Sequence, residues 1–290
     1  MKFVVNAAYA PVEALCGMAR ACEKAGFEAV AVSDHLIHPE KLVTPYPYTD
    51  DGTPRWEDST EWPDPFVVIA AMAAVTERLR FVTSVLVLPL RNPFQVAKTV
   101  ATVAMMSNDR IVLGIGAGWM EEEFQAMEQD FRRRGRRMDE MIEVMRKLWE
   151  EPGYVEHHGE FFDFPPVGMR PAPREPVPIW VGGISQAAQR RAATLADGWI
   201  SDVHTIDEVG EIVAAIRTLR EDSPRAGAPL SVLAAVTDAY TIDGYRRLEE
   251  AGATHVQTLP WTLYGLSGAT LEERCEGIAR FGEDVIAEMG

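Results

Sequence analysis

Asp34 and His35 close the valine-rich run of AVSDHL. An imidazole is the side chain most readily tuned to give or take a proton near neutral pH, and a neighbouring carboxylate favours its charged form. Directly after a strand, the pair has the composition of a proton-transfer site, with His35 as the acid and Asp34 beside it. A histidine that only caps the strand end is the alternative. His204 follows a later apolar run and is expected to face the same side, with both roles open to it. His157 and His158 lie in a proline-rich stretch without companions at metal-ligand spacing, so they are expected at the surface and no metal is expected.

Two glycine clusters also follow apolar runs. VLGIGAGWMEEEF (residues 112–124) invites a dinucleotide fingerprint, but Trp119 stands where a third glycine is needed. The other reading is a strand exit where Gly116, Ala117 and Gly118 let a flat ligand approach the backbone. Glu121, Glu122 and Glu123 then open a helix, where acids suit the positive end of the dipole without any catalytic role. PIWVGGISQAAQRRAATLADGW (residues 178–199) reads as a strand, then Gly182-Gly183, then a helix opened by Ser185. Unpaired amides at such a helix start suit a phosphate; a tight turn is the plainer account. RRRGRR (residues 132–137) is a basic island in an acidic chain, either a solvated helix surface or an anchor for an anionic tail.

A regular frame is needed to bring these residues together. Strand-like runs occur at 3–7, 28–33, 81–87, 111–115, 178–181, 198–201, 230–236 and 255–259. They are continuous Val/Ile/Leu rather than alternating, as buried parallel strands are. Helical patterns fill the gaps. Asp64-Pro65 and Asn92-Pro93 pair an N-cap with proline at the first helical position, and TIDE (205–208) and TLEE (270–273) are capping boxes. The alternation predicts one (β/α)8 TIM barrel over 1–290, with a doubly wound open sheet as the runner-up. Two long insertions break the rhythm, after strands two and four. Residues 34–63 carry Tyr46, Tyr48, Trp56 and Trp62, and are expected as a lid over the barrel mouth or as an oligomer contact; residues 151–177 carry a hairpin-like YVEHHGEFFDF and are expected to be structural.

The net charge of −16 argues against nucleic acid or an anionic membrane as partner. No apolar run reaches spanning length. Met1 leads straight into strand-like KFVVNAA, so no signal peptide is expected, and three cysteines fit a reducing, cytoplasmic setting. Cys16 and Cys22 share one helical stripe and are expected as core filler.

Taken jointly, SDHL (33–36), TSVLVLPLRNPFQVAK (83–98), RIVLGIGAGWMEEEF (110–124), RRMDE (136–140) and the 178–199 stretch resemble the luciferase-like monooxygenase superfamily, most closely its coenzyme F420-dependent oxidoreductases. The resemblance implies a TIM-like barrel with a (deaza)flavin ring across its C-terminal mouth. It implies a cis peptide at Ser84-Val85 behind the ring, a phosphate held by Gly182, Gly183, Ile184 and Ser185, and Asp34 against the ring system. His35 matches a catalytic histidine of the sugar-phosphate dehydrogenase branch. That branch has a Glu where Trp119 stands and a Lys where Gln186, Ala187 and Ala188 stand. An apolar or aromatic small-molecule substrate is therefore expected, met by Trp119, His204, Trp56 and Trp62. The implied activity is hydride transfer with F420; the alternatives are an FMN-dependent monooxygenase and a non-catalytic flavin-binding protein. The family's habit implies a homodimer.

Overall fold

The computed structural model describes residues 1–151 and 153–289. Its strands are β1 (Lys2–Asn6), β2 (Ala29–Val32), β3 (Arg80–Thr83), β4 (Leu86–Val87), β5 (Ile111–Gly116), β6 (Val155–His158), β7 (Asp163–Val167), β8 (Ile179–Gly182), β9 (Gly198–His204), β10 (Ser231–Val236) and β11 (His255–Thr258). Nine of them form one parallel sheet in the order β3-β2-β1-β11-β10-β9-β8-β5-β4, and β3 also pairs β5. That last pairing, Phe81 opposite Ile111 and Val82 opposite Val112, closes the sheet on itself. Because β3 and β4 are two halves of one interrupted stave, the result is an eight-staved (β/α)8 barrel.

The continuous apolar runs are explained by burial on both faces. Val4, Ala31, Val82, Val112, Ile200 and Leu233 fill the barrel interior. Phe3, Val5, Val30, Phe81, Leu113 and Trp199 face the helices. Each fully buried aliphatic side chain contributes roughly 1.5–3 kcal/mol.

The main helices are α1 (Leu15–Ala25), α2 (Pro65–Ala73), α3 (Pro93–Ser107), α4 (Glu121–Ala126), α5 (Arg134–Glu150), α6 (Gln186–Thr194), α7 (Ile206–Glu221), α8 (Ile242–Glu250) and α9 (Leu271–Phe281). Their starts follow the sequence. Asp64 accepts from the amides of Phe66 and Val67, Asn92 from that of Phe94, and Thr205 and Glu208 complete a reciprocal capping box. Gly26 ends α1 with φ +86°. Among the described residues no helix is long and apolar enough to cross a membrane.

The second insertion leaves α5, not a strand. Its β6 and β7 form an antiparallel pair lying along α5. Glu140 of α5 accepts from the amides of Glu160, Phe161 and Phe162. His157, expected at the surface, is instead buried, with Nε2 3.2 Å from Glu140 and Nδ1 3.2 Å from Lys147 Nζ. Strand alternation turns 157 onto α5 and leaves His158 in solvent. Of the two cysteines on α1, Cys22 is in the core and Cys16 only half-buried.

Candidate active site

A cavity of about 380 Å³ opens at the C-terminal ends of the strands. Its floor is the break between β3 and β4, where the Ser84-Val85 peptide is cis. Thr83 anchors the approach through its hydroxyl, which donates to the carbonyl of Gly114 at 2.7 Å. The Val85 side chain stands between Gly116 and Gly182: a Cβ at either position would lie 2.6 Å from a Val85 methyl. Gly118, at φ +83°, would place a Cβ 2.6 Å from Val87. These glycines line the cavity, but the space they free is taken by the interrupted stave. The expectation that they bare the backbone for a ligand needs that correction. Gly183 differs: its φ is +123° and a Cβ there would meet only Ala188, at 3.1 Å.

Asp34 is buried and both its oxygens are committed. Oδ1 accepts from Arg91 at 2.8 Å and Oδ2 from the Val87 amide at 2.9 Å. Burial pushes its carboxyl above the usual range, with Arg91 opposing. Asp34 lines the cavity yet spends its charge on the stave break, so it is not the carboxylate that serves His35. On extended chain, adjacent side chains point apart. The partner of His35 is Glu123, whose Oε2 lies 3.3 Å from His35 Nδ1 and whose Oε1 accepts from the Leu36 amide at 2.7 Å. Glu123 is 1% exposed. Sequence reasoning assigned it to the helix dipole. The available signal was that a third acid in the first turn of α4 exceeds what a dipole needs.

Residues 34–63 cover the mouth. His35 packs against Trp62, Trp56 and Trp119 at ring-centroid distances of 4.9, 5.1 and 6.1 Å. Tyr46 contacts Trp56 and Trp119 at 5.1 and 5.2 Å. The segment is tied down at both ends. Glu122 accepts from the amides of Val43 and Thr44, and Arg55 forms a two-pronged ion pair with Asp202 at 2.8 and 3.0 Å. The structure thus brings Trp56, Trp62 and Trp119 to His35 around one cavity.

His204 is not brought there. Between Ile200 and Val203, β9 carries one residue more than its partner β10. An inserted residue reverses the facing of everything beyond it. His204 consequently stacks on the helix-facing Trp199, with Nδ1 3.5 Å from Glu208, instead of joining Ile200 on the inner face. Ser201 and Asp202 reach the mouth in its place.

Across the cavity from the lid, Gly182, Gly183, Ile184 and Ser185 form the turn into α6. The Ser185 hydroxyl accepts from the Ala188 amide at 3.2 Å and so caps its own helix. Among the described residues, the amides of Ile184, Ser185, Gln186 and Ala187 have no partner. Two guanidinium groups stand nearby: Arg191, paired to Asp139, and Arg134, donating to the carbonyls of Gly118 and Phe131. Burial lowers the Arg134 pKa, and the like charge of Arg191 lowers it further. Elsewhere in the basic island, Arg133 and Arg136 pair with Glu160, Arg137 donates to the carbonyls of Pro89 and Arg91, and Arg132 is exposed.

The luciferase-like monooxygenase family model fits residues 4–270, and the chain belongs to that family. An uncharacterised protein of Mycobacterium tuberculosis is 38% identical over 275 residues, 94% of each chain. The F420-dependent glucose-6-phosphate dehydrogenase of Segniliparus rotundus is 32% identical over 184 residues, 62% of this chain and 50% of that one. The FMNH2-dependent dimethylsulfone monooxygenase of Pseudomonas fluorescens is 30% identical over 150 residues, 51% and 41%. Among solved structures, an F420-dependent secondary alcohol dehydrogenase in complex with an F420-acetone adduct superposes with a TM-score of 0.78 at 17% identity, over 99% of this chain and 98% of that one.

Proposed function

We propose that this protein is an F420-dependent oxidoreductase that transfers hydride between the deazaflavin and a small apolar or aromatic substrate. The observation that carries the reading is the pairing of His35 with the buried Glu123 at one wall of a cavity whose opposite wall is an amide-rich helix start. The residues present fit the cofactor. The unpartnered amides at Ile184 through Ala187, with Arg134 and Arg191, suit its phosphate. Val85 and Ala117 offer an apolar bed for its ring. When bound, the deazaflavin supplies two electrons as hydride.

The chain's own groups do the rest. Glu123 holds the Nδ1 side of His35, which orients the ring and leaves Nε2 to exchange a proton with the substrate. Asp34 and Arg91 hold the stave break that carries Val85. The indoles of Trp56, Trp62 and Trp119 keep water from His35. An FMN-dependent monooxygenase is the alternative, supported by the dimethylsulfone relative. Titrating purified protein with F420 and with FMN, followed by fluorescence, separates the two. Tight binding of F420 and weak binding of FMN is the expected result; the reverse order overturns it.

A further inference from the structure

Tyr46 and Tyr48 line the cavity on the lid side, and among the described residues neither hydroxyl has a hydrogen-bond partner. Tyr46 is only 9% exposed. Asp202 lines the same side. Its two oxygens each accept one bond from Arg55, so its charge is compensated while each oxygen keeps accepting capacity. Burial raises both phenol pKa values, with Asp202 a further raising cause, so both remain neutral donors across the ordinary pH range. Both residues face the cavity, so a ligand acceptor can take the place of water at their hydroxyls.

We propose that this lid-side rim is an oxygen-binding subsite, in which Tyr46 and Tyr48 donate to a hydroxyl or carbonyl oxygen of a neutral planar substrate of one or two fused rings, and Asp202 accepts from that group where it is a hydroxyl. The proposal deepens the reading above and rests on it for the site's purpose. Neutrality follows from the charges: a carboxylate here would meet Asp202, and the Arg55 guanidinium at this rim is already matched to it. Planarity follows from the wall of Trp56, Trp119 and Tyr46 rings. Size follows from volume. About 380 Å³ is near the lower end of the ~300–1,000 Å³ typical of small-molecule sites, and it must also take the cofactor's ring.

The test compares 2-naphthol, naphthalene and 2-naphthoate by equilibrium dialysis against wild type and the isosteric double variant Tyr46→Phe, Tyr48→Phe. Wild type should bind 2-naphthol about tenfold more tightly than naphthalene, with 2-naphthoate weakest. The double variant should lose that preference and keep its affinity for naphthalene. Equal binding of naphthol and naphthalene by wild type, or an unchanged preference in the variant, overturns the subsite. F420 titration of the same preparations reports separately on the cofactor. F420 binding without the naphthol preference sinks only the rim, whereas the preference without F420 binding sinks only the cofactor reading.

Discussion

Residues 34–63 and the stretch between α5 and β8 are both long, both rich in aromatics and both outside the strand-helix rhythm. The first leaves the C-terminal end of β2 and sets Trp56 and Trp62 against His35. The second leaves a helix, folds back as β6 and β7, and packs Phe164 on Phe94 of α3. Their anchors differ as well. The first is held by side chains from strand exits: Glu123 at Leu36 and Glu122 at Val43 and Thr44, both from the start of α4, and Asp202 of β9 at Arg55. The second hangs on Glu140, which takes three consecutive amides of the hairpin turn. Aromatic content is similar, so composition does not tell them apart. The element an insertion leaves does: in a barrel of this kind strand exits open onto the mouth, whereas helix exits lead away from it.

The sharpest way to break the contrast is to remove the chemistry of one region and its counterpart in the other. His35→Ala should lower turnover by roughly 100- to 10,000-fold, the range for a positioned acid or base, while cofactor still binds. Glu123→Gln should lose less turnover and shift the pH-rate profile, because the imidazole keeps its place without its carboxylate partner. His157→Ala, on the hairpin, should leave turnover unchanged. Retained turnover in His35→Ala would remove His35 from the reaction; lost cofactor binding would make it part of the ring pocket instead.

The same contrast explains what could be read from the sequence. All eight staves and the starts of α2, α3 and α7 were legible, because each rests on local signals: a two-sided apolar run, or a capping residue before proline or glutamate. Trp56, Trp62 and Trp119 were expected at the barrel mouth because they lie on strand exits; their packing on His35 is a finding of the structure. Three features were not. The space freed by Gly116 and Gly182 goes to Val85, a contact between staves that no local pattern announces. The extra residue in β9 turns His204 away, and its signal lies in pairing register, not in sequence period. Glu123 reaches His35 across 88 positions, whereas Asp34, its sequence neighbour, is drawn off by Arg91.

A medium effect is expected where the hairpin is fixed. Glu140→Ala leaves the amides of Glu160, Phe161 and Phe162 and the buried His157 without their acceptor. Bonds to a charged group are each worth roughly 1.5–3 kcal/mol, but this turn borders solvent and water replaces part of the loss. A net loss of about 2–3 kcal/mol, or a Tm lower by roughly 3–5 °C, is expected. Turnover below the transition should match wild type. A variant that melts normally but turns over slowly would give the hairpin a functional role and erase the distinction between the two insertions.

The smallest effect is expected at the latch. Arg55 and Asp202 join the lid to the end of β9, but the pair is partly solvated, with side chains 34% and 21% exposed. Such pairs contribute roughly 0.2–1 kcal/mol, and salt screens them. The guanidinium also donates to the Tyr48 carbonyl at 2.6 Å, which places it toward the upper end of that range. Arg55→Ala should therefore favour lid opening by about two- to fivefold. Because Trp56 and Trp62 pack on His35 only when the segment is closed, their fluorescence reports the motion directly. In stopped-flow displacement of bound cofactor, the variant should release it two- to fivefold faster than wild type at low salt. At about 1 M salt, where the screening length is roughly 3 Å, the two should converge. Equal release rates at low salt would mean that Glu122, Glu123 and the aromatic contacts hold the lid without Arg55, and that this insertion, like the hairpin, rests on carboxylate-to-backbone anchors alone.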